Sequence, residues 1–268
     1  MKYILSNMIV SDKLNEVILN ELYSKSEIVG VEGSVPFFIY NGNYNNIDSS
    51  EIFLYPDFKE IEQFYKPYVD MFIFDCGNVL LEPKDKNNCL GNVIFTEYAN
   101  NKHYYFTISN LDIAQYLIEQ YPNIQLILHQ NFTMFHDDKE ILEAIKMLGK
   151  NLSYIIITNK NKCDTINFPK IYLLKYFNTC EKCSRYKYCI EQECLSALNY
   201  SSYSIFKDCK KKMLRSDTEM YEEIQKIKEI KDIEYIMFDT VLLDMANQDN
   251  GITLYGLYDS LLKMEEEN

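Results

Sequence analysis

Eight short apolar runs, parted by helix-forming stretches, constrain this sequence more than any other feature. They are "KYILSNMIV" (2–10), "EIVGVEG" (27–33), "VDMFIFDC" (69–76), "HYYFTIS" (103–109), "IQLILHQ" (124–130), "LSYIIIT" (152–158), "KIYLLKYF" (170–177) and "IEYIMFDT" (233–240). Each is almost continuously hydrophobic and rich in β-branched or aromatic residues. Strands buried on both faces of a parallel sheet read this way, whereas half-exposed strands alternate.

The intervening stretches carry helix signals. "LDIAQYLIEQY" (111–121) puts Ile113, Leu117 and Tyr121 on one stripe, and "DDKEILEAIKMLGK" (137–150) has an acidic first turn and a glycine near its end. "SDTEMYEEIQKIKEI" (216–230) opens with Ser216 and Glu219 at capping-box spacing. Eight strands alternating with helices predict an α/β chain closing as a (β/α)8 TIM-like barrel over residues 1–268, with a doubly wound open sheet as the alternative. Strands seven and eight lie about 55 residues apart, more than one helix needs. The excess is a cysteine-rich insertion over about 178–212, leaving the carboxyl end of a strand, the functional face of barrels.

No stretch approaches the roughly 20 apolar residues of a membrane span, and the N-terminal "MKYILSNMIVSDKL" reads as a first strand, not a signal peptide. A cytoplasmic location follows as the expectation, and there eight cysteines are thiols or ligands before they are disulfides. A net charge of −13 argues against a broad nucleic-acid footprint; the basic patch from Lys207 to Arg215 reads as a solvated helix start.

Four of the cysteines fall in "CEKCSRYKYCIEQEC": Cys180, Cys183, Cys189 and Cys194, spaced C-x2-C-x5-C-x4-C, with Cys209 further on. Metals need thiolates that converge on one point, and a C-x2-C turn presents two at once. The spacing is not that of a zinc ribbon, contains no histidine and resembles the C-x2-C-x5-C-x3-C auxiliary-cluster segment of radical enzymes, which implies a [4Fe–4S] cluster, with zinc as the alternative. Lys182, Arg185 and Lys187 stand between the ligands, where cations offset thiolate charge. A redox dithiol and a structural coincidence are the plainer readings. No C-x3-C-x2-C run is present, which excludes a radical enzyme using S-adenosylmethionine in the usual way. Cys76, at a strand end, reads as a small buried hydrophobe.

Glu32, Asp75, His129 and Asp239 each close a strand, and in a barrel they point into one mouth, where carboxylates and imidazole can do acid–base work. His129, Glu32 and Asp75 are the catalytic candidates, and His136 on the following loop can join them. The plain alternative is a set of hydrogen-bonded rim groups. No phosphate-binding loop, nucleophile elbow or dinucleotide fingerprint is present.

The stretch "TISNLDIAQYLIEQYPNIQLILHQNFTMFHDDKEILEAIKMLGKNLSYIIIT", the following "KIYLLKYFNTC" and the helix–strand unit ending "YIMFDT" resemble the collagenase-like peptidase (U-thirty-two) family over about residues 100–245. The resemblance implies a barrel with a four-cysteine iron–sulfur cluster, carried over onto Cys180, Cys183, Cys189 and Cys194. Members similar in size work with a paralogous partner in oxygen-independent ubiquinone hydroxylation, others hydroxylate RNA, and some are labelled proteases. The chain departs from the family at "VEGSVPFF", where Ser34 stands in place of a cysteine ligand, and lacks the Lys-Ile-Glu-Gly-Arg-like run near the last strand. A cluster would then be held wholly within the insertion.

Together these readings predict an iron–sulfur barrel enzyme performing an oxygen-independent hydroxylation or related redox modification of a small molecule or peptide. A non-catalytic, metal-stabilised partner that recruits another protein is the competing class. Peptide hydrolysis ranks third, because no nucleophile or metal–water constellation can be assembled.

Overall fold

A computed structural model of the chain describes residues 2–5, 28–35, 38–42, 55–175, 183–199 and 217–238. Its strands are β1 (Lys2–Leu5), β2 (Ile28–Gly33), β3 (Met71–Phe74), β4 (Tyr104–Ile108), β5 (Gln125–Leu128), β6 (Leu152–Ile157), β7 (Lys170–Leu174) and β8 (Ile233–Phe238). All eight pair in parallel with their neighbours in sequence order, and β8 closes on β1 through Lys2↔Tyr235 to Leu5↔Phe238. The sheet is a closed (β/α)8 barrel, so the open-sheet alternative falls away.

Helices α1 (Tyr55–Tyr65), α2 (Cys89–Tyr98), α3 (Leu111–Gln120), α4 (Gln130–Phe135), α5 (Asp138–Leu148), α6 (Lys160–Thr165), α7 (Tyr186–Leu198) and α8 (Asp217–Lys228) lie between them. Local signals set their ends. Asn110 caps α3 by accepting from the Ile113 N–H, and Asp137 with Glu140 forms a capping box on α5. Gly149 ends α5 at φ 54°, a left-handed conformation that glycine adopts without steric cost.

Side chains on the strands sort into two layers, as a period of two requires. Ile4, Met71, Ile73, Ile127, Ile156, Ile171, Leu173 and Met237 fill the barrel. The outward set, including Phe74, Phe106, Leu126 and Ile155, packs against the helices with Phe95, Leu117 and Ile141. The strand runs look unbroken because both layers are apolar. Two residues beyond Ile73 and Ile127 on the same inward side stand Asp75 and His129, at the carboxyl end.

Helix α7, from the cysteine-rich insertion, lies against that end. Lys175 after β7 donates to the Tyr186 hydroxyl (3.0 Å), and Asn78 after β3 donates its amide to the Cys194 carbonyl (3.1 Å). No helix among the described residues is long and apolar enough to cross a membrane.

Candidate active site at the barrel mouth

The mouth has a buried floor and an open cleft beside it. At the centre of the floor, Asp75 is fully buried and collects five donors. The Gly77 N–H (3.0 Å), the Thr107 hydroxyl (3.1 Å) and His129 Nε2 (3.4 Å) reach Oδ1. The Gly42 N–H (3.0 Å) and the Ser34 hydroxyl (3.2 Å) reach Oδ2. A buried carboxylate is tolerated only when donors replace its water, and here they come from the ends of β2, β3, β4 and β5. One side chain thus ties four strand ends together.

His129 completes the floor. Its Nδ1 accepts the Asn131 N–H at 3.1 Å, capping α4, so that nitrogen carries a lone pair and Nε2 carries the proton given to Asp75. Burial pushes its pKa down to about 4, Asp75 opposing and Lys175 adding slightly to the shift. With both nitrogens engaged and 1% of its surface exposed, His129 is built to hold loops in place. Proton transfer to a ligand would require those loops to part.

The depressed pKa gives a signed expectation. The unfolded chain takes up a proton near pH 6.5 that the folded chain refuses until about 4. Stability is therefore complete above pH 6.5 and falls as pH drops toward 4, by on the order of 3 kcal/mol. Urea midpoints measured from pH 7.5 to 4.5 should show this decline, and His129→Gln should flatten it. An equal decline in the variant would assign the effect elsewhere.

Glu32 sits 7% exposed on β2 in register with the inward-facing Ile73. It neighbours Cys76, whose thiol is pushed well up by burial and by the Asp75 and Glu32 charges. Cys76 is fully buried and donates its N–H to Thr107, so the reading of a small buried residue holds. Asp239, Cys180, Cys209 and the basic patch Lys207–Arg215 lie outside the described residues.

The cleft opens between the loops after β3, β4 and β5 and helix α7, with a volume of about 420 Å³, within the range of small-molecule sites. Ser109, Asp112, Asn131, His136, Lys187 and Glu191 bring polar groups to it, and Leu80, Leu111, Phe132 and Phe135 form apolar walls. His136 stacks on Phe132 (centroids 3.9 Å apart), and its Nδ1 lies 2.9 Å from the Phe132 carbonyl. A carbonyl only accepts, so Nδ1 donates to it, and in the neutral ring Nε2 is the nitrogen with the lone pair. Ser109, Asn131 and Asp112 escaped the sequence reading. Ser109 alone left a signal, lying two residues beyond Thr107 on the inward side of β4.

Of the four spaced cysteines, Cys183, Cys189 and Cys194 fall among the described residues. Cys189 and Cys194 both lie on α7, five residues apart, roughly 140° around the helix from each other. Cys194 is fully buried with Sγ 3.8 Å from the Gly42 carbonyl, while Cys183 and Cys189 are partly exposed. Among the described residues, no three His, Cys, Asp or Glu side chains converge to hold a metal.

No protein-family model and no curated protein matches the chain. Among solved structures, the U32 peptidase Mk0906 matches with a TM-score of 0.54 at 7% identity, over 90% of this chain and 93% of its own. The YdjI aldolase from Escherichia coli K12 matches with a TM-score of 0.48 at 11% identity, over 99% and 87%. The likeness to the U32 peptidase supports at the level of fold the resemblance read from residues 100–245. The chain is a closed (β/α)8 barrel, similar in fold to that U32 peptidase.

Proposed function

We propose that this protein is a barrel enzyme acting on a small molecule or peptide group held in the cleft. In this reading the cysteine-bearing segment serves an oxygen-independent hydroxylation or related redox modification through a [4Fe–4S] cluster on Cys180, Cys183, Cys189 and Cys194. One observation carries the proposal: α7, which bears two of those cysteines, also supplies a wall of the cleft through Lys187 and Glu191.

As placed, the described thiols do not form the ligand set, and Cys194 would have to turn out of its contact with Gly42 to join one. Asp75 and His129 fix the loops that carry the cleft, and His136 offers the lone pair of Nε2 as the group able to take a proton. A reducing cytoplasm suits the reading, since Cys76, Cys89, Cys183, Cys189 and Cys194 stand outside any disulfide.

Anaerobic purification with iron, sulfide and zinc analysis tests it. Brown protein with about four iron and four sulfide per chain is the expected result. Colourless protein with one zinc would replace the redox reading with that of a metal-stabilised partner for another protein, paralogous or otherwise.

A further inference from the structure

Two oxygens beside the cleft are buried without a hydrogen-bond partner among the described residues: Ser109 Oγ and Asn131 Oδ1. Their residues are 7% and 0% exposed. A buried oxygen left unpaired costs free energy that a bound donor can offset. Asn131 cannot adapt by turning its amide, because Nδ2 donates to both the Gly42 carbonyl (3.1 Å) and the Gly77 carbonyl (3.2 Å). Its unmet need is for a donor.

The other polar groups ask for the same chemistry. In the neutral ring Nε2 of His136 presents a lone pair, since Nδ1 donates to the Phe132 carbonyl. Asp112 and Glu191 line the cleft with no ion-pair partner among the described residues. Lys187 is the cation among the lining residues, and its ammonium lies 5.8 Å from the Phe135 ring centre. Acceptors thus outnumber donors around a space walled by flat or apolar groups, the stacked Phe132–His136 pair and Leu80 among them.

We infer that the cleft binds a flat small molecule bearing an amine or amidine. Its N–H groups answer Asn131 Oδ1, Ser109 Oγ and His136 Nε2, its positive charge faces Asp112 and Glu191, and its ring lies on the aromatic wall. The inference rests on the reading of the cleft as the substrate site and names the class of molecule that site takes.

Benzamidine and benzoate, alike in shape and opposite in charge and donor character, are the probes, with binding followed by saturation-transfer NMR and calorimetry on the full chain. Benzamidine should bind and benzoate should not. The double variant Asp112→Asn, Glu191→Gln should weaken benzamidine by about tenfold or more. Ser109→Ala should weaken it while leaving the melting temperature unchanged or higher, because it removes an unpaired hydroxyl from the free protein. No binding of benzamidine, equal binding of benzoate, or affinity untouched by all three substitutions would overturn the inference. A brown, cluster-bearing protein that ignores benzamidine defeats this inference alone. A colourless one that binds it through these residues defeats only the redox reading.

Discussion

Asp75→Ala should cost at least about 4 kcal/mol of folding stability, a large part of the roughly 5–15 kcal/mol a domain possesses. The substitution strands five buried donors at once: the Gly42 and Gly77 N–H groups, the Ser34 and Thr107 hydroxyls and His129 Nε2. Each unpaired buried group costs about 1–3 kcal/mol, and water entering the small hole recovers part of the sum. Asp75→Asn separates charge from shape. It keeps an acceptor on one side, but its amide nitrogen must face donors on the other, where the Gly42 N–H cannot rotate away. The asparagine variant should therefore fall between wild type and alanine. Denaturant midpoints for the three proteins at pH 7.5 provide the check. An alanine variant that unfolds with the wild type would mean that the carboxylate does not hold the mouth together.

Much of this was open to reading along the chain, for a physical reason. Strands of a barrel are packed on both faces, so their apolar runs are unbroken, and runs such as 152–158 and 170–177 contain the strands Leu152–Ile157 and Lys170–Leu174. Their positions at strand ends placed Asp75 and His129 in the barrel mouth from sequence. What could not be read is what they bind. Asp75 takes donors from Ser34 and Gly42, 41 and 33 positions away, and no local pattern reports such pairings.

The cysteines show a different limit. Counted as a loop, C-x5-C-x4-C suggests convergence. Yet "YKYCIEQECLSAL" forms helix α7, and there a five-residue step sends two side chains to different faces. Spacing predicts ligation only once the secondary structure between the ligands is known. The cleft was hidden for a third reason: its unpaired oxygens are defined by missing partners, which only the folded chain reveals.

Gly77→Ala should be nearly as damaging as loss of the carboxylate, through crowding and not through lost bonds. A methyl group at Gly77 would lie 2.4 Å from Cγ and Nδ1 of His129 and 2.5 Å from Cε1, far inside contact distance. The ring cannot swing aside without breaking its bonds to Asp75 or Asn131. Overpacking of this kind costs about 1–3 kcal/mol and more where the neighbour is fixed, so about 3 kcal/mol is expected. Among the described residues, Gly149 is the glycine with positive φ, so Gly77 is required by space and not by backbone conformation. That difference makes the cause testable with a double-mutant cycle. In a His129→Ala background the added methyl has room, and the cost of Gly77→Ala should fall by about 1–2 kcal/mol, within the range of coupling for touching residues. Gly149→Ala, with open space around it, should show no such coupling. If the two Gly77→Ala costs were equal, the penalty would lie in the backbone, and the packing of His129 on the Gly77 peptide would not be what shapes this end of the barrel.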